Sequence, residues 1–176
     1  TCALPICEII VRGGNVMAGY YGPALAELTA ETLRGGLMHT GDGGYMDKDG
    51  YVFLTDRIKD MIKTGGENVF SAEVEKAIAG MPQVQMCCVV GIPDDRLGEA
   101  VAAVIVPKQK GVVVTVDDVK AFCQGKLAGY KIPRRVEMRD ALPVSGAGKI
   151  LKHVVRAELK ASAGATGARV KQRAVR

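Results

Sequence analysis

Two short runs of nearly unbroken apolar residues stand out along the chain, Val84 to Ile92 and Glu99 to Pro107. Their length and the Pro93-Asp94-Asp95 turn between them predict two buried strands rather than a helix. Helical spacing appears on either side. Val74, Ala77 and Ile78 share one face of a stretch that starts at Ser71, read as its cap, and stops at Gly80. Thr115, with Asp118 three residues on, starts a second helix through Leu127, with Val116, Val119, Phe122, Cys123 and Leu127 as its stripe. Arg135 to Met138 reads as a short third strand. Leu151, Val154, Val155 and Leu159 mark a last helix over 150–160. The order β-α-β-β-α-β-α across residues 57–160 predicts a small α+β layer domain of roughly 100 residues, with a short, mostly antiparallel sheet.

The first third of the chain is patterned differently. Glu8 to Arg12 reads as a strand, followed by a Gly13-Gly14 turn. Pro23 opens a helical stretch to Arg34, in which Leu25, Leu28 and Leu33 are the larger apolar side chains. Leu37 to Asp42 is extended, and Gly41 to Gly44 reads as a glycine-rich turn around Asp42. Tyr45 to Leu54 reads as a hairpin turning at Asp47-Lys48-Asp49-Gly50. That turn superficially resembles a calcium loop, but glycine falls fourth rather than sixth and Ile58 stands where glutamate is needed. Residues 7–56 have hairpins but too little core to stand alone. They read as the β-rich end of a larger N-terminal domain whose front is missing. Residues 1–6, Thr-Cys-Ala-Leu-Pro-Ile, resemble a sequencing adapter read in frame and are set aside from the fold.

Charge sharpens this division. The formal net charge is +5, yet residues 149–176 hold eight Lys/Arg against one acid, Glu158. The remaining 148 residues carry 16 basic and 18 acidic side chains, so the basic excess belongs to the C-terminus. Residues 161–176, rich in Ala and Gly and without a sustained apolar stripe, read as a disordered basic tail. A basic tail permits a nucleic-acid-binding module as an alternative, but no aromatic stacking platform accompanies the charges, and the expectation is no nucleic acid. The five cysteines form no C-x-x-C pair and the two histidines lie far apart, which excludes a zinc site by spacing; no metal site is expected. Cys87-Cys88, inside an apolar run, is expected to pack as small hydrophobes. The pattern suits a reducing, cytoplasmic compartment. No apolar run approaches the roughly 20 residues of a spanning helix, so no transmembrane segment is expected.

Four constellations carry candidate chemistry. Thr40-Gly41-Asp42 places a carboxylate on a glycine turn, where it suits the hydroxyls of a sugar diol; a turn aspartate bonding its own backbone has the same signature. Asp56-Arg57 opens a densely charged stretch that ends in Gly65-Gly66. Its arginine offers a fixed fork of donors, or an exposed salt bridge. Leu127 to Pro133 carries a helix into a strand. Pro143-Val144-Ser145-Gly146-Ala147-Gly148-Lys149 invites a phosphate-loop reading that fails twice: Pro143 replaces the first glycine, and Ile150 follows the lysine. A mobile glycine loop presenting one lysine fits better.

In order and spacing together, these pieces resemble the acyl-CoA synthetase branch of the adenylate-forming, AMP-binding enzymes. The resemblance runs over about residues 7–160. It rests on Glu8 to Gly13 with Gly19-Tyr20, His39 to Asp42, Asp56 to Asp60, Gly65 to Asn68, Ala72 to Glu75, Tyr130 to Pro133 and Gly148 to Leu151. It implies an ATP-dependent acid–CoA ligase using a carboxylic acid, ATP, Mg²⁺ and coenzyme A, in which a small C-terminal domain rotates between adenylate formation and thioester formation. By matching position, Asp42 binds the ribose of the nucleotide, Arg57 assists, and Thr40 belongs to the same nucleotide site. Lys59 is the hinge, Thr64, Gly65 and Gly66 line the path of the pantetheine arm, and Lys149 is the catalytic lysine of adenylation. The family's phosphate loop and acyl pocket match nothing in this chain, so the missing N-terminal domain is expected in cis and the chain alone is expected to be inactive. Within the same family, loading of a carrier protein is the alternative to CoA.

Overall fold

The computed structural model describes residues 7–173; the adapter-like residues 1–6 lie outside them, as do residues 174–176. The chain forms two compact units that divide between Lys59 and Asp60.

The first unit is built on a three-stranded antiparallel sheet in the order β1 (Cys7–Val11), β2 (Met38–Met46), β3 (Val52–Arg57). The helical stretch after Pro23 is shorter than expected. A 3₁₀ turn, Pro23–Leu25, leads into α1 (Ala26–Thr32), and neither buries a residue. The expected turn at Gly41–Gly44 is corrected: those residues are strand, in the middle of β2. A bulge between Gly43 and Gly44 shifts the register against β3. A Cβ on Gly44 would lie 2.4 Å from the Phe53 carbonyl oxygen and 2.9 Å from Ile9 Cδ1. Glycine is there because backbone and side chain close in on both sides, not because the chain reverses. The reversal comes at Asp47–Gly50, as expected. Asp47 Oδ1 accepts from the N–H groups of Asp49 and Tyr51, and Gly50 takes φ +86°. Tyr45 and Phe53 sit opposite each other and stack with ring centroids 5.1 Å apart.

The second unit holds β4 (Ile62–Thr64), β5 (Glu67–Val69), α2 (Ser71–Ala79), β6 (Val84–Asp94), β7 (Gly98–Pro107), α3 (Val116–Cys123), β8 (Arg135–Met138) and α4 (Lys152–Arg173). The strands lie in the order β5-β4-β7-β6, with β8 added parallel to β7. All other pairings are antiparallel. The long β6–β7 pair explains the two apolar runs. Cys87, Val89, Val101, Ala103 and Ile105 face one core with Val74 and Ile78 of α2 and Val119 and Cys123 of α3. Cys88, Val90, Ile92, Ala102 and Val104 face a second core with Val155 and Leu159 of α4. Helices cover both faces, so alternation is lost across Cys87–Val90 and Ala100–Val106, where every position is apolar. Both cysteines pack as expected, and burial, the leading cause, pushes each thiol up to about 12.

Gly65 and Gly66, at φ +60° and +85°, form the two-residue turn between β4 and β5, with Thr64 paired to Glu67. Left-handed backbone at both positions is the geometry that matches the strand twist and selects Gly-Gly. Three local expectations need correction. Phe70, not Ser71, is the N-cap of α2, and it makes no side-chain cap. Helix α3 ends at Cys123, four residues before Leu127, although Thr115 and Asp118 form the expected reciprocal cap. Helix α4 starts at Lys152 and its backbone continues to Arg173, past the expected end at Lys160 and through most of the stretch read as disordered tail. Four alanines between Ala161 and Ala168 favour helix without any apolar stripe.

Candidate functional site

In the first unit, pairing of β2 with β3 sets Asp42 directly across from Arg57. Arg57 Nε lies 3.0 Å from Asp42 Oδ1, and both side chains are partly exposed. A pair this open contributes about 1 kcal/mol at most to stability. Its consequence is geometric: a carboxylate and a guanidinium present acceptors and donors side by side. Thr40 is turned inward. Its hydroxyl donates to the Ile9 carbonyl at 2.7 Å and accepts from the Asp42 N–H at 3.1 Å. Thr40 therefore shapes the backbone that carries Asp42.

Glu8 does more than its place in a strand suggested. Its carboxylate meets His39 Nδ1 at 2.7 Å, accepts from Arg34 at 3.0 Å and accepts the Gly41 N–H at 3.1 Å. These bonds, the one with His39 foremost, hold the Glu8 carboxyl below its ordinary range despite some desolvation. One carboxylate thus ties β1 to the His39–Gly41 segment just before Asp42. The signal in the sequence was a lone acid in an apolar strand, which has no meaning until β2 is beside it.

Lys59 lies in the 3₁₀ turn Ile58–Asp60 where the two units join. Within the second unit, Asp60 is held by Arg156 of α4 at 3.3 Å. Thr64 is buried at 4% exposure on the inner side of β4, whereas Gly65 and Gly66 are exposed at the turn, and the Gly65 N–H donates to the Leu97 carbonyl at 2.9 Å.

Lys149 is exposed on a tight loop that leads into α4. The loop is closed by an antiparallel bridge between Val144 and Ile150 and by the Leu151 N–H bonding the Pro143 carbonyl at 2.8 Å. Inside it, the Ser145 N–H donates to the Lys149 carbonyl and the Gly148 N–H to the Ser145 carbonyl, both at 2.8 Å. Gly148 takes φ +75°, a value that favours glycine. The glycine loop that presents Lys149 takes the form of a hydrogen-bonded hairpin.

One further cluster escaped sequence reasoning. Lys152 Nζ donates to Ser71 Oγ at 2.7 Å and lies 2.9 Å from Glu75 Oε1, and Glu75 Oε1 also accepts the Val89 N–H at 2.8 Å. Strand β6 is the last in the sheet order, so Val89 turns its N–H to a side chain instead of another strand. The structure thus brings Thr40, Asp42 and Arg57 together in the first unit and places Thr64, Gly65, Gly66 and Lys149 in the second.

Residues 73–149 match the family described as the AMP-binding enzyme C-terminal domain. The chain is 50% identical over 149 residues, 85% of its length, to a feruloyl-CoA synthase from Amycolatopsis, of which it covers 30%. Among solved structures it resembles ATP-bound MatB from Rhodopseudomonas palustris, with TM-score 0.79 and 38% identity over 89% of this chain and 31% of that one. It also resembles the Bacillus subtilis o-succinylbenzoate CoA synthetase in complex with its acyl-adenylate, with TM-score 0.78 and 32% identity over 88% of this chain and 31% of that one. The chain therefore spans about a third or less of the length of the proteins it matches. By its motifs, its α+β fold and these likenesses, the chain belongs to the AMP-binding, adenylate-forming enzymes and carries the C-terminal domain of that family.

Proposed function

We propose that this chain is the C-terminal part of an ATP-dependent acid–CoA ligase and contributes to both half-reactions. The observation that carries the reading is the lysine hairpin of the second unit together with the Asp42–Arg57 pair of the first, both within a chain half identical to a feruloyl-CoA synthase. In the first half-reaction a substrate carboxylate oxygen attacks the α-phosphorus of ATP, and pyrophosphate leaves. Asp42 accepts hydrogen bonds from the ribose hydroxyls, and Arg57 fixes the carboxylate that does so. Lys149 Nζ offsets the negative charge that grows on the α-phosphate oxygens, which is worth about 10²–10³ in rate when such a group is pre-oriented. In the second half-reaction the CoA thiol, losing its proton, attacks the acyl carbon and AMP leaves. Lys59 absorbs the backbone change between the two arrangements, and Gly65-Gly66, without side chains, let the pantetheine arm pass close to the backbone. Thr64, buried, supports that turn from beneath. Mg²⁺ accompanies the phosphates of ATP. Among the described residues no group of three His, Cys, Asp or Glu is placed to hold a metal. Among the described residues, no helix is long and apolar enough to cross a membrane.

A chimera tests this reading. Residues 7–176 replace the matching third of the Amycolatopsis feruloyl-CoA synthase, and the product is assayed with ferulate, ATP and CoA. Feruloyl-CoA is expected from the chimera and no acyl-adenylate from the 176-residue chain alone. Acyl-adenylate formed by the chain alone, or a folded chimera that makes no thioester, refutes it.

A further inference from the structure

We infer that Lys152, clamped by Glu75 and Ser71, is the positioning residue for Lys149; this rests on the reading of Lys149 given above. The Lys149 hairpin is closed by its own backbone bonds; Leu142 before it and Ile150 within it meet the second core, and the Leu151 carbonyl accepts the N–H groups of Val154 and Val155 in α4. A stiff hairpin is aimed only as well as the element it grows from. That element is α4, which begins at Lys152, three residues beyond Lys149. The first turn of α4 is bound to the rest of the domain by two cations one helical turn apart. Lys152 reaches Ser71 and Glu75 on α2, and Arg156 reaches Asp60, the residue after Lys59. The Lys152 and Glu75 side chains are 18% and 21% exposed, so the pair is screened far less than a surface bridge. Glu75 is itself pinned by the Val89 N–H of β6. The origin of the hairpin is therefore referenced to α2 and to the edge strand at once, and the neighbouring pair references the same helix to the hinge. Packing of Val155 and Leu159, with Arg139 on Glu158 and Arg135 on Ser162, fixes the middle of α4 but leaves its N-terminal turn freer to rotate about the helix axis. The clamp removes that freedom, and a displacement of about 1 Å at a catalytic group costs about 10²-fold in rate.

The test compares Lys152→Met, Lys152→Arg and Glu75→Gln in two settings. In the 176-residue chain, amide hydrogen exchange is read at residues 144–151 and, as reference, at the β6–β7 core. Lys152→Met is expected to speed exchange in the hairpin at least tenfold with the core rates unchanged, and Lys152→Arg to restore it. In the chimera, Lys152→Met is expected to lower adenylation with ferulate about 100-fold, as pyrophosphate release, while thioester formation from supplied feruloyl-adenylate changes less than threefold. A merely structural role predicts that both half-reactions and all amide rates move together, and that result overturns the inference, as does an unchanged hairpin. Should Lys152→Met fail to fold, Glu75→Gln, which keeps an acceptor for the Val89 N–H, decides by the same criteria. Lys149→Ala is the control. If it leaves adenylation intact, the catalytic reading of Lys149 fails, whereas normal loss in Lys149→Ala with no effect of Lys152→Met defeats the positioning role alone.

Discussion

Leu159→Ala is the sharpest test of how α4 is held. Leu159 has no exposed surface and packs in the core shared with Cys88, Val90, Ala102, Val104 and Val155. Three carbons are removed, worth about 2.4 kcal/mol at about 0.8 kcal/mol each. The cavity adds to this, because the opposing wall is a hydrogen-bonded strand pair that cannot move inward. A loss of about 3–4 kcal/mol is expected, within the measured range of about 2–5 for such truncations. Urea unfolding followed by far-UV circular dichroism reads it. With a slope of about 1.5 kcal/mol per molar, the midpoint falls by about 2 M. Val113→Ala, at a residue 68% exposed, is the control and shifts stability by no more than about 0.5 kcal/mol. A Leu159→Ala midpoint within about 0.5 M of wild type would show that α4 does not seat where the second core places it.

Asp42→Asn in the chimera should raise the KM for ATP about 10–100-fold, the worth of hydrogen bonds to a charged acceptor, and an unchanged KM would remove Asp42 from the ribose. Lys149→Ala should cut adenylation about 10²–10³-fold and spare thioester formation from supplied adenylate; equal losses in both would argue against separate roles. Bonds from Thr115, its hydroxyl foremost, depress the Asp118 carboxyl, so this group's contribution is complete above the unfolded value of about 4 and is lost as pH falls through the lower folded value. Asp118→Asn should accordingly flatten the stability loss as pH falls below about 4, read by thermal melts on the acid side, and an unaltered acid limb would rule the cap out as its source. Of the described cysteines, exposed Cys7 should react with a thiol reagent in the native state, while buried Cys87, Cys88 and Cys123 react only on unfolding. Native labelling of Cys88 would show that the sheet opens.

Much of the second unit was legible because its signals are local. Apolar runs bounded by turn residues marked β6 and β7, a reciprocal Thr-Asp cap marked the start of α3, and helical spacing marked α2. The first unit was harder. Its glycines follow the rules of turns, yet Gly44 lies in a strand because Ile9 and Phe53, 35 residues before and nine after, crowd it. The same limit applied to the site. Asp42, Arg57 and Lys149 were visible as motif residues, but Glu8, Glu75 and Lys152 are defined by partners 14 to 81 positions away.

The amino-acid sequence by itself determined the main strands and helices of the second unit, though not all their ends, the family, and the residue types at the candidate site. These depend on spacing within a few residues, where backbone periodicity and capping act. Tertiary structure alone decided that Ser71 is a buried partner for Lys152 rather than a cap, that Thr40 points inward, and that Lys149 sits on a bridged hairpin leading into α4. Each of those is settled by which distant backbone or charge ends up within hydrogen-bond reach, and strand pairing and packing set that distance.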